Sequence, residues 1–310
     1  MVEETWPASG TTGSRVALGD GGGGFVAPAF RLADFGYNQG WRVGEHQRFV
    51  ADLTGNGCAD LIGLGDAGVW VARNDGDGGF GPPQLVFADF PFQHGATVDH
   101  PRFLTDLTGD GRPDLVSFSS AGVWVSLNDG NGGFGPSFEG VHAFGVFQGW
   151  DASSHVRLVA DLSGDGRADL VAFGDQGVLV ARGRGDGTFD HPEPLVSFFG
   201  LRGMPDLEWH VGRNPRLLAD LTGNGAADIV GFGDDGIRVM VLDTSGPKTP
   251  QFVVPELGYL AGGWREETHL RLAADLTGDG RADLVGFGDA DVYVCLNQGT
   301  GPRPRPIAIP

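Results

Sequence analysis

Short apolar runs alternate with breaks rich in glycine, asparagine and aspartate along nearly the whole chain. Residues 46–65 show one full cycle. Arg48-Phe-Val-Ala ends on Asp52, a polar Thr54-Gly-Asn56-Gly stretch follows, and the apolar run Leu61-Ile-Gly-Leu starts directly after Asp60. An alternating run, Val69-Trp-Val-Ala-Arg73, comes next, and a fourth spans Phe80 to Phe87. Runs of four to eight residues rich in Val, Leu and Phe and bounded by turn formers predict β-strands, and Asn74-Asp-Gly-Asp-Gly78 and Asn128-Asp-Gly-Asn-Gly132 predict hairpin connections. The cycle returns four more times. Its leading aspartate recurs at Asp52, Asp106, Asp161, Asp220 and Asp275, in steps of 54, 55, 59 and 55 residues. Four antiparallel strands repeated at a fixed period are the pattern of a β-propeller blade. No helical segment occurs in the repeat, which excludes a βαβ solenoid.

The expected fold class is therefore all-β, with one β-propeller domain over residues 1–310. Residues 1–13 carry no pattern. Residues 14–35 form a half-repeat, because Arg15 to Phe35 aligns without gaps on Trp70 to Phe90. Residues 36–310 hold five repeats of about 55 residues. Six blade positions with an incomplete or shared blade at the seam are favoured, then a five-bladed ring closed by the N-terminal strand, then a fragment of a longer ring. Fifty-five glycines suit many tight turns and disfavour helix.

The net charge of −19 argues against nucleic acid as a partner, since phosphate backbones are neutralised by clustered Lys and Arg. No apolar stretch is long enough to cross a bilayer, so membrane insertion is not expected. Met1 to Gly13 shows no basic region followed by an apolar run, so the chain reads as cytoplasmic or non-classically released, or secreted if a leader has been trimmed. Cys58 and Cys295 are the only cysteines and provide no disulfide framework.

Part of the acidity is concentrated in the loop after each first strand, of the form Asp-x-Thr/Ser-Gly-Asp/Asn-Gly-x-x-Asp. Oxygen donors at alternate positions suit a hard cation such as Ca²⁺. Three loops offer three carboxylates with a hydroxyl between: Asp106, Thr108, Asp110 and Asp114; Asp161, Ser163, Asp165 and Asp169; Asp275, Thr277, Asp279 and Asp283. Two substitute asparagine and carry less charge: Asp52, Asn56 and Asp60; Asp220, Asn224 and Asp228. A structural Ca²⁺ stapling the turn is one expectation. The other is that these Asp and Asn side chains close the turn on backbone N–H groups without an ion.

A second recurring stretch precedes each loop. Phe35-Gly-Tyr37-Asn38-Gln39-Gly40-Trp41 is followed by His46 and Arg48; Phe144 to Trp150 by His155 and Arg157; Gly258 to Trp264 by His269 and Arg271. The fourth repeat keeps Trp209 but has Asn214 in place of His, and the second, His94 to His100, has no Trp. A Trp offers an apolar face to the CH side of a sugar or to an acetamide methyl, and a His beside it a hydrogen bond. Trp41 with His46, Trp150 with His155 and Trp264 with His269 are therefore candidate binding pairs, with Trp209 and Asn214 a doubtful fourth. The opposing reading is that the Trp rings pack between blades. The following Arg directly precedes a strand and is read as structural. Trp70 and Trp124, which alternate with Val, are read as strand packing.

At these residues the chain resembles FG-GAP and VCBS repeats, including those of integrin α-chain propellers. The longer run through Trp41, His46 and the Asp52 loop is closer still to the family of the Psathyrella velutina lectin. The resemblance spans residues 14 to 298. It implies a seven-bladed, calcium-containing propeller without catalysis that binds glycans or glycoproteins bearing terminal N-acetylglucosamine, with sialylated glycans as weaker ligands, at inter-blade grooves. The chain has too few repeats for seven blades. No Ser-His-Asp order or paired catalytic carboxylates point to an enzyme. A multivalent lectin is thus expected, with a calcium-stapled adhesion or scaffold propeller, or an accessory module of a larger protein, as alternatives.

Overall fold

The computed structural model describes residues 13–19, 26–88, 100–202, 208–243 and 246–299, and the backbone of 307–309. The half-repeat forms a two-stranded sheet, β1 (Ser14–Val16) and β2 (Ala29–Leu32). Five four-stranded meanders follow. The first holds β3 (Arg48–Ala51), β4 (Asp60–Gly65), β5 (Gly68–Ala72) and β6 (Gln84–Ala88); the second β7 (Arg102–Thr105), β8 (Asp114–Phe118), β9 (Val123–Ser126) and β10 (Phe138–Val141). The third holds β11 (Val156–Ala160), β12 (Asp169–Gly174), β13 (Gly177–Ala181) and β14 (Glu193–Val196). In the fourth, β15 (Arg216–Ala219), β16 (Asp228–Phe232) and β17 (Ile237–Met240) are joined to β20 (Gln251–Val254) through a small hairpin of β18 (Leu242–Asp243) and β19 (Gly246–Pro247). The fifth holds β21 (Arg271–Ala274), β22 (Asp283–Phe287), β23 (Val292–Cys295) and β24 (Ile307–Ile309). The fold is an all-β propeller arrangement.

Five complete blades are formed among the described residues where six positions were favoured. The half-repeat stays two-stranded because it contains only the counterparts of a third and fourth strand, β5 and β6. The chain divides into two compact units, one of residues 1–104, 112–117 and 126–138, the other of 105–111, 118–125 and 139–310.

The second strand of each sheet is apolar without alternation, and Leu115-Val-Ser-Phe118 and Leu170-Val-Ala-Phe173 are buried on both faces. In the first unit Leu53, Ile62, Leu64, Val69, Val71, Leu115 and Phe134 form a core. In the second, Leu162, Val171, Phe173, Ile229 and Met240 form one, and Val230, Phe232, Ile237, Val254 and Leu284 another. At about 25 cal/mol per Å² of apolar surface, each fully buried Val, Leu or Phe contributes roughly 1.5–3 kcal/mol.

The aspartate that opens each second strand latches its sheet. Asp60 accepts the Leu53 N–H on Oδ2 at 3.3 Å and the Asn74 N–H on Oδ1 at 2.8 Å, tying the loop before β4 to the hairpin after β5. Asp169, Asp228 and Asp283 repeat the pair of bonds. Successive loops are also chained. The Ala168, Ala227 and Ala282 N–H groups donate to the carbonyls of Asp106, Asp161 and Asp220 at 2.7–3.0 Å.

Candidate functional site

The Trp-bearing stretch leaves β2 at Phe35, a non-glycine residue at φ 60°, a left-handed conformation that costs energy and needs support. Phe144, Phe199 and Leu257 stand in the same conformation at the same place. Arg48, Arg157 and Arg271 donate to the carbonyls of Phe35, Phe144 and Leu257 at 3.1–3.4 Å. The Arg is therefore structural, as read from sequence. Arg157, Arg216 and Arg271 are buried, each with its guanidinium 5.4–5.6 Å from the centroid of a phenylalanine ring, Phe118, Phe173 and Phe232 respectively. Burial pushes Arg216 down to about 10 against the opposing pull of Glu266, which leaves it charged at neutral pH.

After a 3₁₀ turn at Tyr37–Gln39 the chain closes on Gly40, at φ 95°, and the Trp41 N–H returns to the Gly36 carbonyl at 3.2 Å. The next turn is closed by the imidazole. His46 Nδ1 accepts the Arg42 N–H at 3.0 Å, which leaves the ring proton on Nε2 to donate to Asp66 Oδ1, also at 3.0 Å. His269 does the same with Arg265 and Asp289, at 2.9 and 3.0 Å, and His155 more loosely with Asp151 and Asp175, at 3.2 and 3.4 Å. Each imidazole stands edge-on or tilted against its indole, with centroids 4.9–5.5 Å apart.

Asn214 preserves this logic. Its Oδ1 accepts the His210 N–H at 3.1 Å, and its Nδ2 donates to Asp234 Oδ1 at 3.1 Å. An amide carries an acceptor and a donor where the neutral imidazole carries Nδ1 and Nε2–H, which explains why the turn survives the exchange.

The indoles are less open than flat platforms would be. Trp41, Trp209 and Trp264 are 8, 2 and 5% exposed. Each lies over a strand glycine: a Cβ on Gly63, Gly231 or Gly286 would come within 2.3–2.7 Å of Cη2 of its Trp. Trp150 is half-buried, and the residue paired with Arg157 in its sheet is Ala172, where the first, fourth and fifth sheets have glycine. The extra methyl accounts for the shallower seat.

What remains accessible beside Trp41 is a cleft of about 320 Å³ lined by Asp34, Gln39, Trp41, His46, Asp66, Trp70 and Pro83, among others. Trp41 donates its indole N–H to Asp34 Oδ1 at 3.1 Å. Asp66 accepts from His46 on one oxygen while its side chain is 87% exposed. Carboxylates able to accept hydroxyl protons, an amide, and two indoles in one small cleft are the chemistry that holds a polyhydroxylated ring with an apolar face.

Trp70, read from sequence as packing, is a wall of this cleft, and Tyr293 at the same strand position meets Trp264 with ring centroids 5.5 Å apart. The carboxylate was also missed, although a signal existed. Gly-Asp follows the second strand at 65–66, 174–175, 233–234 and 288–289, whereas the second repeat has Ser119-Ser120. That repeat lacks both the Trp and this carboxylate, and its His94 to Asp99 lie outside the described residues.

The acidic loops use their carboxylates on the backbone. Asp52 Oδ1 accepts N–H bonds from Thr54, Gly55 and Asn56 and its Oδ2 one from Gly57, at 2.6–3.3 Å. The little desolvation Asp52 suffers acts upward, but these amides hold its carboxyl below the ordinary value. Asp106, Asp161, Asp220 and Asp275 close their turns alike. Thr108, Ser163 and Thr277 donate their hydroxyls to the leading Asp, Asn56 and Asn224 accept the N–H two residues on, and Asp165 and Asp279 pair with Arg167 and Arg281. The donor set is all oxygen, as a hard cation requires, but among the described residues no three His, Cys, Asp or Glu side chains converge as a metal-ligand group.

These observations define a β-propeller with FG-GAP-like repeats and a small polar-aromatic cleft beside Trp41. The FG-GAP-like repeat model matches residues 106–172. A solved lectin of Agrocybe aegerita, described as recognising non-reducing terminal N-acetylglucosamine, is 39% identical to this chain, with a TM-score of 0.87 over 96% of this chain and 74% of the lectin. The chain belongs to the family of that lectin. The Tc holotoxin pore of Photorhabdus luminescens shares the fold at 18% identity and a TM-score of 0.55, over 84% of this chain and 12% of its own. No curated protein sequence matches the chain.

Proposed function

We propose that this protein is a carbohydrate-binding lectin without catalytic activity, recognising glycans that end in N-acetylglucosamine. The observation that carries the reading is the cleft in which Asp66, Gln39, Trp41 and Trp70 meet, in a chain of the same family as an N-acetylglucosamine-recognising lectin. In the cleft beside Trp41, Asp66 and Asp34 accept sugar hydroxyl protons, Trp70 packs on the CH face, and His46 holds Asp66 in place. The Trp264–His269–Asp289 and Trp150–His155–Asp175 sets are further sites of the same kind, so several weak sites on one molecule gain avidity toward dense glycans. Sialylated glycans are weaker ligands of the same clefts.

A glycan array followed by calorimetric titration with N-acetylglucosamine tests the reading. Folded protein that binds terminal N-acetylglucosamine, and loses the first site in Asp66→Ala and Trp70→Ala, supports it; silence across the array rejects it. Calcium on the three-carboxylate loops is a separate proposal. Bound there it would add to turns already closed by amides, so chelation should lower the melting temperature and leave sugar affinity unaltered.

A further inference from the structure

Successive repeats cover one another with a recurring set of groups. The arginine that starts the first strand stands over a second-strand phenylalanine of the preceding repeat: Arg157 over Phe118, Arg216 over Phe173 and Arg271 over Phe232. The seventh residue of the acidic loop lies against the loop glycine before it, since a Cβ on Gly55, Gly109 or Gly223 would come within 3.3–4.0 Å of Cγ of Arg112, Arg167 or Arg281. The N–H of the eighth, Ala168, Ala227 or Ala282, donates to the carbonyl of the preceding loop's first aspartate. Asn128 and Asn297 donate their side-chain amides to the carbonyls of Leu53 and Leu221 at 3.0 and 2.7 Å. The residues so covered are buried. Leu53, Leu107 and Leu162, each next to a leading aspartate, are 0–4% exposed, and Phe118, Phe173 and Phe232 are 0–1% exposed.

Two edges lack this cover. On the fifth repeat the corresponding Leu276 and Phe287 are 52% and 42% exposed, and a Cβ on Gly278 would meet open space. Among the described residues no loop N–H and no Asn side chain reaches the carbonyls of Asp275 and Leu276. The hairpin after β23 starts on the other side of this sheet, because Asn297 turns to Leu221 of the fourth repeat. On the first repeat the donating groups are the ones left open. Arg48 is exposed where Arg102, Arg157, Arg216 and Arg271 are buried, and among the described residues the Asn74 amide donates only to Ala59 of its own repeat. Cys58 holds the place of Arg112 and Arg167. The half-repeat ahead of them contains only counterparts of a third and fourth strand, so it offers neither a second-strand ring nor an acidic loop.

We infer that these two edges join copies of this chain head to tail, the first repeat of one copy seated on the fifth repeat of the next. The groups match one by one: the Arg48 guanidinium with the Phe287 ring, the Ala59 N–H with the Asp275 carbonyl, the Asn74 amide with the Leu276 carbonyl, and Cys58 with Gly278. The contact also removes Leu276 and Phe287 from water, as exposed apolar patches on protein interfaces do. Because the two surfaces differ, the contact is heterologous and adds copies in one direction instead of stopping at a twofold dimer. It does not depend on the lectin reading.

Sedimentation velocity of the whole chain in reducing buffer tests the inference. The wild type should form species larger than a monomer, their share growing with concentration. Cys58→Glu sets a carboxylate against Asp275 and Asp279 of the neighbouring copy, at a place where other repeats carry a long polar side chain, and Leu276→Asp disables the opposite edge. Each variant alone should be monomeric, with folding checked by circular dichroism, and Phe287→Asp replaces Leu276→Asp if that protein does not fold. Mixed, the two should form a one-to-one dimer and nothing larger, since one intact pair of edges remains. A wild type that stays monomeric at every concentration, which is also the result of closure within one molecule, overturns the inference. So does association that persists unchanged in the folded variants, or a mixture that stays monomeric.

Discussion

The first and fourth Trp turns share a left-handed entry, at Phe35 and Phe199, and differ in what becomes of one carboxylate. At the first, His46 is the partner of the Asp66 side chain among the described residues, and that side chain is 87% exposed. At the fourth, Asp234 accepts from Asn214 and is gripped by both Arg213 nitrogens, leaving it 34% exposed above a Trp209 that is 2% exposed. Arg213 also lies 4.3 Å from the Tyr259 ring. The His-to-Asn exchange is therefore the lesser difference, because the amide reproduces the imidazole's two bonds. The Arg213 clamp occupies carboxylate oxygens of Asp234 that stay open on Asp66, so under the proposed lectin reading the fourth turn keeps its folding role and is the weakest candidate for sugar binding.

The strongest way to break this comparison is to exchange the carboxylate environments. Asp66→Ala should weaken sugar binding at the first site by about tenfold or more, the loss of a charge-assisted hydrogen bond worth roughly 1.5–3 kcal/mol. Asp234→Ala should leave every sugar affinity unaltered. Arg213→Ala with Asn214→His should add a binding site by titration calorimetry, and failure to gain one would sink the clamp argument.

Next in size is Gly63→Ala. A methyl there would stand 2.3 Å from Trp41 Cη2, so overpacking should cost roughly 1–3 kcal/mol in urea unfolding and move Trp41 toward solvent.

A third test concerns Asp228, which latches the fourth sheet. Burial pushes its carboxyl up to about 6 from an ordinary 3.8, outweighing the Leu242 and Leu221 amide bonds that act downward. Between these values the folded state holds more protons than the unfolded one, so this group makes stability fall as pH rises from about 4 to about 6 and level off above. In metal-free buffer the loss should be at most about 3 kcal/mol, and Asp228→Asn should remove that slope.

The smallest effect is expected of Ala172→Gly. It should let Trp150 settle as deeply as Trp41, shifting its fluorescence to the blue while changing stability by less than about 1 kcal/mol. An unshifted spectrum would mean that the methyl does not set the depth of the ring.

The chain by itself determined the repeat, its phase and its four-strand grammar, because alternation, turn residues and a period near 55 are local properties that survive in one dimension. The latching role of Asp60, Asp169, Asp228 and Asp283 was half visible: their spacing announced a loop, but the same spacing serves a cation or a backbone amide. What a cleft contains is another matter. Trp41, Asp66 and Trp70 come together because β3, β4 and β5 pair in register, and Trp41 sinks because Gly63 lies beneath it. Arg213 reaches Asp234 across 21 residues. Only the tertiary structure decides such convergences. The apolar pattern fixes which face a side chain takes, while depth, neighbours and free volume depend on sheets that the pattern does not order in space.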